Sequence, residues 1–232
     1  MDLSKLEERL GYYFKNRQLL WEALTHKSYS RFQNNERLEF LGDAVMDLVV
    51  GELLFKLFPE KEEGFLSKLR ASLVNENSFS KIAQGMGLGK FLLLSQSEEN
   101  NRGRVKPSIL SSSFEAIIGA IYMDGGFEEA KRVGLELLHS TFPKIDPKEL
   151  LKDYKTTLQE ITQAYFGVLP TYRLLKSFGP DHDKRFEIGV YILEKEYARA
   201  QGRSKKSAQQ KGAQLAIEQL REELNLKEID DV

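Results

Sequence analysis

A stretch from Asn34 to Leu48 places two opposed rows of side chains on one helix. With a helical period of about 3.6 residues, its apolar and acidic side chains separate onto different faces. The apolar row is Leu38, Leu41, Val45 and Leu48, continued by Leu53, Leu54, Phe55 and Leu57, and the acidic row is Glu36, Glu39, Asp43 and Asp47. The stretch therefore predicts a helix that joins a hydrophobic core to an acidic surface.

The acidic row has two interpretations. A solvated helix surface is the common role of such a row, but like charges three or four residues apart repel one another. A bound cation would remove this repulsion. Carboxylate oxygens are the ligands that Mg²⁺ and Mn²⁺ prefer, so a metal site is the second interpretation.

Composition excludes several classes of protein. The chain has 232 residues, of which 41% are hydrophobic and 30% are charged, as in a globular protein with one large or two modest domains. It contains no apolar run long enough to span a membrane, and its first residues lack the apolar region of a signal peptide. It also contains no cysteine, so disulfides and thiolate zinc sites are excluded and the cytoplasm is the expected compartment.

Glycine-rich sequence gives no sign of a nucleotide cofactor. The run GMGLG at residues 85–89 lacks the spacing of the dinucleotide and P-loop motifs. A bend between helices is the better interpretation of these glycines.

Residues 1–147 are predicted to form an all-helical domain. A second informative helix is expected over residues 111–124, where Ser112 and Glu115 are three residues apart and share a face. Glycines at 125 and 126 end this helix, and prolines at 143 and 147 mark the end of the domain. Long helices with short connections predict a bundle, followed by a linker at residues 148–152.

The hydrophobic period changes in residues 153–224. A helix from about residue 154 is followed by an extended run at 170–180, an alternating run at 186–192 and a third strand at 197–200. A hairpin turn is expected at Glu194 and Lys195, and a last helix runs from Ser204 to about Leu224. This α-β-β-β-α order predicts a small α+β domain, and residues 225–232 form an acidic tail.

Charge is distributed unevenly along the chain. Residues 152–221 carry 13 basic and 8 acidic residues, a net charge of +5, whereas residues 1–151 carry −2. A basic segment beside a mildly acidic one is typical of a nucleic-acid-binding module joined to a metal-dependent catalytic module.

Several motifs resemble one known family. The sequence NERLEFLGDAV at residues 35–45 resembles the signature of the ribonuclease III family, the endonucleases of double-stranded RNA. The run LTHKSY around His26 also resembles this family, although we interpret His26 itself as structural. The runs DYKTTLQE, FGPDH and GRSKKSAQQKGA resemble three regions of the double-stranded RNA-binding domain.

The resemblance implies a function. It implies Mg²⁺-dependent hydrolysis of double-stranded RNA, with Mn²⁺ as a substitute, to products with 5′-phosphate and 3′-hydroxyl ends. It also implies a homodimer with one site per strand, and it suggests processing of ribosomal RNA precursors and other structured RNAs.

The resemblance also indicates the site residues. Asp43 and Glu115 are the expected catalytic residues. Glu39, Asp43, Ser112 and Glu115 are expected to hold the metal, with Glu36 and Glu63 as outer or water-mediated partners. Ser112 departs from the family, in which Asp is usual, and a hydroxyl is a weaker and uncharged ligand.

Two alternatives remain open from the sequence. Ser112 motivates the first, a double-stranded RNA-binding protein with a weakened or inactive nuclease domain. The second is a helical carboxylate enzyme of the di-iron type. This chain does not contain both of the Glu-x-x-His pairs expected of such an enzyme, and this alternative leaves the C-terminal domain unexplained.

The second domain is expected to bind duplex RNA through its helix ends and one loop. Ser204 can cap the last helix, while Lys205 and Lys206 contact phosphates and the helix dipole adds to the attraction. Gln159 offers its amide to ribose 2′-hydroxyl groups, and the loop at residues 179–182, with His182, is expected to enter the next minor groove.

Phe40 lies among the acidic side chains, where its ring should be exposed in a monomer. A second copy of the chain would cover the ring if it offered a pocket. Phe40 is therefore predicted to lie in a homodimer interface.

Overall fold

The computed structural model describes residues 2–151, 153–180 and 184–224, and the chain divides into two compact units, Met1–Leu151 and Lys152–Val232. Each unit has its own hydrophobic core. Three predictions concern positions outside the described residues: the role of His182, the last linker position at 152 and the acidic tail at 225–232.

The described part of the first unit is built from helices. They are α1 (Ser4–Leu10), α2 (Arg17–Ala23), α3 (Glu36–Leu57), α4 (Glu63–Leu73), α5 (Glu76–Gly85), α6 (Gln96–Asn100), α7 (Pro107–Gly125), α8 (Phe127–Thr141) and α9 (Pro147–Leu150), with 3₁₀ turns at Leu88–Phe91 and Gly103–Val105. None of the described helices has both the length and the apolar character needed to cross a membrane.

The buried face of helix α3 matches the predicted apolar row only in part. Its buried residues are Leu38, Gly42, Val45, Met46, Val49, Val50 and Leu54. Leu41 and Leu53 are only partly buried, and the prediction was wrong for Leu48, Phe55 and Leu57, which are 59%, 70% and 50% exposed. Apolar residues surround the second half of this helix, so spacing alone does not determine which of them meet the core.

Two glycines bring α3 and α7 into backbone contact. A Cβ atom built on Gly42 would lie 1.8 Å from the carbonyl oxygen of Glu115, and one built on Gly119 would lie 2.2 Å from that of Leu38. Real Cβ atoms do not approach so closely, so both positions require the absence of a side chain. The contact sets the acidic side of α3 beside the first turns of α7.

The second unit has the predicted order of elements. Helix α10 (Tyr154–Phe166) precedes strands β1 (Thr171–Phe178), β2 (Arg185–Ile192) and β3 (Lys195–Gly202), and α11 (Lys205–Glu223) follows them. The strands form an antiparallel sheet in the order β1-β2-β3. Buried side chains of β2, among them Val190 and Ile192, share a core with both helices. The predicted fold class, a helical domain followed by a small α+β domain, is confirmed.

The β2–β3 hairpin turn is displaced by one residue from its predicted position. Leu193 and Glu194 occupy the turn with φ of 48° and 64°, and Lys195 already belongs to β3. Such turns usually carry Asn or Gly, which tolerate positive φ. Because neither residue type is present, no local signal marks the position of the turn.

We expect Gly42→Ala to destabilise the first unit by about 3 kcal/mol or more, since the new methyl group would collide with the α7 backbone. Gly64→Ala is the matched control, because no heavy atom lies within 4 Å of a Cβ atom at that position. Thermal unfolding followed by circular dichroism measures both variants. Equal melting temperatures would contradict the assigned backbone contact.

Candidate functional site

The contact between α3 and α7 gathers four oxygen-bearing side chains that the sequence analysis had selected. Glu39 and Asp43 come from α3, and Ser112 and Glu115 come from α7. The Ser112 hydroxyl donates a hydrogen bond to Oε1 of Glu39 over 2.8 Å. This bond joins the two helices directly at the site.

Mutual repulsion of the carboxylates is visible in their pKa values. The pKa of Glu115 is raised to about 8, first by burial and then by the negative charges of Asp43 and Glu39, against a hydrogen bond from Ser111 that lowers it. The pKa of Asp43 is also raised, first by burial and then by Asp47. A carboxyl group next to other carboxylates resists ionisation unless a cation compensates the charge.

The donor chemistry fits a hard divalent cation. Across residues 2–151, 153–180 and 184–224, no three His, Asp or Glu side chains already converge on one point as a metal cluster. The oxygen donors of Glu39, Asp43, Ser112 and Glu115 are nevertheless of the type that Mg²⁺ and Mn²⁺ take. A cation among them would offset the repulsion that raises the pKa of Glu115.

Glu36 and Glu63, the two expected outer partners, make their side-chain hydrogen bonds to residues other than these four. Glu36 is exposed and its carboxylate accepts a hydrogen bond from Nζ of Lys27 over 3.0 Å. Glu63 lies at the start of α4, where its carboxylate accepts from the Ser67 hydroxyl over 2.6 Å. No hydrogen bond or ion pair between described residues joins either glutamate to the four.

A cleft of about 230 Å³ opens beside Glu39 and Ser112. Its lining residues are His26, Lys27, Asn35, Glu36, Glu39, Ser108, Ile109 and Ser112. The sequence analysis missed Lys27, Asn35, Ser108 and Ile109 and treated His26 as structural. The available signal was position, since Asn35 opens the NERLEFLGDAV motif and His26 lies in the LTHKSY run.

The second unit presents a polar and basic surface at the start of α11. Ser204 caps this helix, and its hydroxyl oxygen accepts the Ser207 N–H over 3.1 Å. Lys205 and Lys206 follow and are exposed. The free N–H groups and the positive dipole end of a helix attract phosphate, and the two ammonium groups add to this attraction.

Gln159 belongs to the same surface through the packing of α10 on α11. Nζ of Lys155 donates to Oε1 of Gln209 over 3.1 Å. Gln159 lies one turn after Lys155 on α10, and Lys205 lies one turn before Gln209 on α11, so each pair shares a helix face. Gln159 is exposed, which leaves its amide accessible.

Phe40 is 79% exposed on α3. Leu48 and Phe55 fall within about 80° of Phe40 around the helix and are also exposed, so an apolar strip runs along α3. Large exposed apolar side chains along one helix mark a candidate contact surface.

Comparison with known proteins identifies both units. A Ribonuclease-III-like family model matches residues 16–141, and a Double-stranded RNA binding motif model matches residues 154–220. Ribonuclease 3 of a Nitratiruptor species is 58% identical over 219 residues, which cover 94% of this chain and 97% of that protein. The chain belongs to the ribonuclease III family. It is a ribonuclease III-type endoribonuclease with a double-stranded RNA-binding domain.

Further relatives agree with this assignment. Ribonuclease 3 of Campylobacter jejuni subsp. jejuni is 58% identical over 219 residues, covering 94% of this chain and 98% of that protein. The solved nuclease domain of ribonuclease III from Campylobacter jejuni superposes with a TM-score of 0.61 at 59% identity, covering 62% of this chain and all of that one. Neither the inactive-nuclease alternative nor the di-iron alternative gains support from these relatives.

We expect the metal-free protein to lose stability as pH rises towards 8 because of Glu115. Its folded-state pKa of about 8 exceeds the ordinary value of 4.5, so the folded state favours the protonated form and loses this advantage between those two pH values. In EDTA, Glu115→Gln should therefore melt at least about 2 °C above the wild type at pH 8 and match it at pH 4.5.

The matched control for this prediction is Glu63→Gln, an exposed glutamate whose substitution preserves the hydrogen-bonding shape. Its difference from the wild type should be the same at both pH values. Differential scanning calorimetry measures each variant. A Glu115→Gln difference that does not change with pH would contradict the assigned burial and repulsion.

Proposed function

We propose that the first unit hydrolyses phosphodiester bonds of double-stranded RNA with Mg²⁺, or Mn²⁺ as a substitute, at Glu39, Asp43, Ser112 and Glu115. The observation that carries this proposal is the position of Glu115, a partly buried carboxyl group facing Asp43 and Glu39 across the α3–α7 contact. Asp43 and Glu115 are the proposed catalytic residues.

Each side chain has a distinct role in this proposal. A bound divalent cation supplies an activated water and offsets negative charge at the reacting phosphate. Glu39, Asp43 and Glu115 hold the cation by their carboxylate oxygens. Ser112 orients Glu39 through its hydrogen bond of 2.8 Å, and Glu36 lies near the mouth of the cleft with Lys27. Glu63 is the more remote acidic partner.

Water is the nucleophile in this mechanism. A metal-activated water supplies the attacking oxygen, so the proposal needs no side-chain nucleophile. Cleavage of the bond between phosphorus and the 3′ oxygen leaves 5′-phosphate and 3′-hydroxyl ends. By similarity to the ribonuclease 3 relatives, we propose structured RNAs, including ribosomal RNA precursors, as substrates.

The second unit holds the duplex in this proposal. The start of α11, with Ser204, Lys205 and Lys206, lies against phosphates, and Gln159 contacts ribose hydroxyl groups in the minor groove. The match to the Double-stranded RNA binding motif over residues 154–220 supports this role. His182 is proposed as a further contact, at a position outside the described residues.

Two copies of the chain are proposed to associate through the apolar strip of α3, which begins at Phe40. The 79% exposure of the Phe40 ring supports this role, since water contact with so large an apolar surface is unfavourable. The related nuclease domain from Campylobacter jejuni is described as having structural flexibility in a region involved in dimer formation. A symmetric pair would present one site to each RNA strand.

Glu115→Gln should reduce cleavage of a duplex RNA in Mg²⁺ by at least about 100-fold, because an amide cannot supply the lost negative charge. Duplex binding, measured by electrophoretic mobility shift in Ca²⁺, should remain within about twofold, since the second unit is unchanged. Loss of binding together with cleavage would contradict the division of roles between the two units.

The reverse control is the double variant Lys205→Ala with Lys206→Ala. It should weaken duplex binding. The slope of the logarithm of the binding constant against the logarithm of the salt concentration should become shallower by about two, one for each lost phosphate contact. Its maximal cleavage rate at saturating RNA should remain near that of the wild type.

Phe40→Ala should raise the dimer dissociation constant by at least about 100-fold, because a symmetric interface loses the same central aromatic side chain from both copies. Sedimentation equilibrium measures this constant. Tyr165→Ala is the control, as it removes an exposed aromatic side chain from the second unit. A Phe40→Ala protein that stays fully dimeric and active would remove Phe40 from the interface.

A further inference from the structure

The cleft beside Glu39 contains a histidine whose proton position is determined by its neighbours. The N–H of Ser28 donates to Nδ1 of His26 over 3.2 Å. Since Nδ1 accepts this N–H, it carries no hydrogen, and the Ser28 hydroxyl, which lies 2.8 Å from Nδ1, also donates to it. The Ser28 hydroxyl oxygen in turn accepts the N–H of Ser95 over 3.1 Å. Nδ1 is therefore an acceptor, and the ring proton resides on Nε2.

The remaining polar atom of the His26 ring is free to bind a ligand. No hydrogen bond between described residues engages Nε2, and the ring lines the cleft. Burial also lowers the pKa of His26, which favours the neutral form. His26 thus offers the cleft an uncharged N–H donor.

Asn35 supplies a second donor to the cleft. It is only 2% exposed and lines the same cavity, but its amide nitrogen has no hydrogen-bond partner among the residues that the structure describes. The helix-capping role belongs to its neighbour Asn34, whose Oδ1 accepts the N–H of Glu36 over 3.1 Å. A buried amide without a partner is unfavourable, and a ligand that accepts its hydrogen bond would satisfy it.

The charges of the cleft disfavour an anionic ligand. Glu36 and Glu39 line it together with one ammonium group, that of Lys27, which is already paired with Glu36. A phosphate group would therefore meet net negative charge, whereas a neutral hydroxyl group would not. One hydroxyl has two acceptor lone pairs and one donor hydrogen. It can accept from His26 and Asn35 and donate to a carboxylate oxygen of Glu36.

We propose that this cleft is a ribose-recognition subsite, in which His26 and Asn35 bind the 2′-hydroxyl group of a nucleotide flanking the scissile phosphate. The proposal rests on the function proposed for the first unit. The wide minor groove of duplex RNA displays 2′-hydroxyl groups, and DNA lacks them. The subsite would therefore make the first unit itself a discriminator of RNA from DNA, independently of the second unit.

The test combines single-atom changes in the RNA with two variants of His26. A duplex RNA carries one 2′-deoxy substitution at a time, scanned across the nucleotides flanking the scissile phosphate, and kcat/KM is measured in Mg²⁺. With wild-type protein, a 2′-deoxy substitution at the contacted position should lower kcat/KM about fivefold to tenfold. His26→Asn keeps an acceptor for Ser28 but loses the N–H at Nε2. With this variant, kcat/KM for the all-ribose duplex should fall by a similar factor. The 2′-deoxy substitution at the contacted position should then lower kcat/KM by less than about twofold.

Two further variants separate recognition from general damage. His26→Gln places an amide N–H near the former Nε2 and should restore part of the penalty. His139→Asn makes the same substitution at an exposed histidine of α8 and should retain the full rate and the full penalty. Asn35→Leu keeps the branched shape of the side chain but has no N–H donor, and it should reproduce the behaviour of His26→Asn. Circular dichroism and thermal melting confirm the fold of each variant.

Three results would overturn the subsite. One is a folded His26→Asn protein that retains the whole 2′-deoxy penalty. Another is the absence of any such penalty in the wild type near the scissile phosphate. The third is a penalty that follows base substitution instead, which would assign the cleft to a base edge. Failure of the proposed function is distinct, because the wild type would then leave the all-ribose duplex uncut in Mg²⁺.

Discussion

The backbone contact between α3 and α7 at Gly42 and Gly119 is the constraint on which the site depends. Without side chains at these positions, the carbonyl oxygens of Glu115 and Leu38 occupy the space where Cβ atoms would lie. The close approach places acidic side chains of two sequence-distant helices in one another's electric field. The pKa of Glu115 is raised first by burial at this crossing and then by the charges of Asp43 and Glu39, and the crossing also allows the direct bond between Ser112 and Glu39. A tight helix crossing thus produces the chemistry of the site.

The fold was predictable wherever the hydrophobic residues of a segment followed one clear spacing, either helical or alternating. The change from helical to alternating spacing near residue 153 and the α-β-β-β-α order are both present in the structure. The prediction failed on α3, where apolar residues occur on almost every side after Asp43. There, packing against α7 and the rest of the bundle selects the buried face, and Leu48 and Phe55 remain outside. A single sequence carries no information on which neighbour a helix will meet.

The candidate site was predictable in its acidic members and not in its neutral ones. Glu39 and Asp43 share a helix face by spacing, and the family motif led to Glu115. The partners of Ser112 and His26 could not be inferred, since Ser112 bonds a residue 73 positions away and Ser28 is held by a contact with Ser95. Asn35 was not selected from the sequence, and only the structure shows that Asn34 accepts the N–H of Glu36 at the start of α3.

Helix α3 carries two distinct surfaces, the acidic side chains of the candidate site and the exposed apolar strip. Glu39 and Phe40 are consecutive residues, so one points towards the carboxylate group while the other projects into solvent from the same turn. Both surfaces belong to one continuous helix of 22 residues, so a displacement of that helix would move them together. If copies of the chain pair through the exposed strip, self-association and ligand geometry become mechanically linked. Dilution that separates the copies would then also change the geometry of the acidic side chains, so turnover per chain would depend on enzyme concentration.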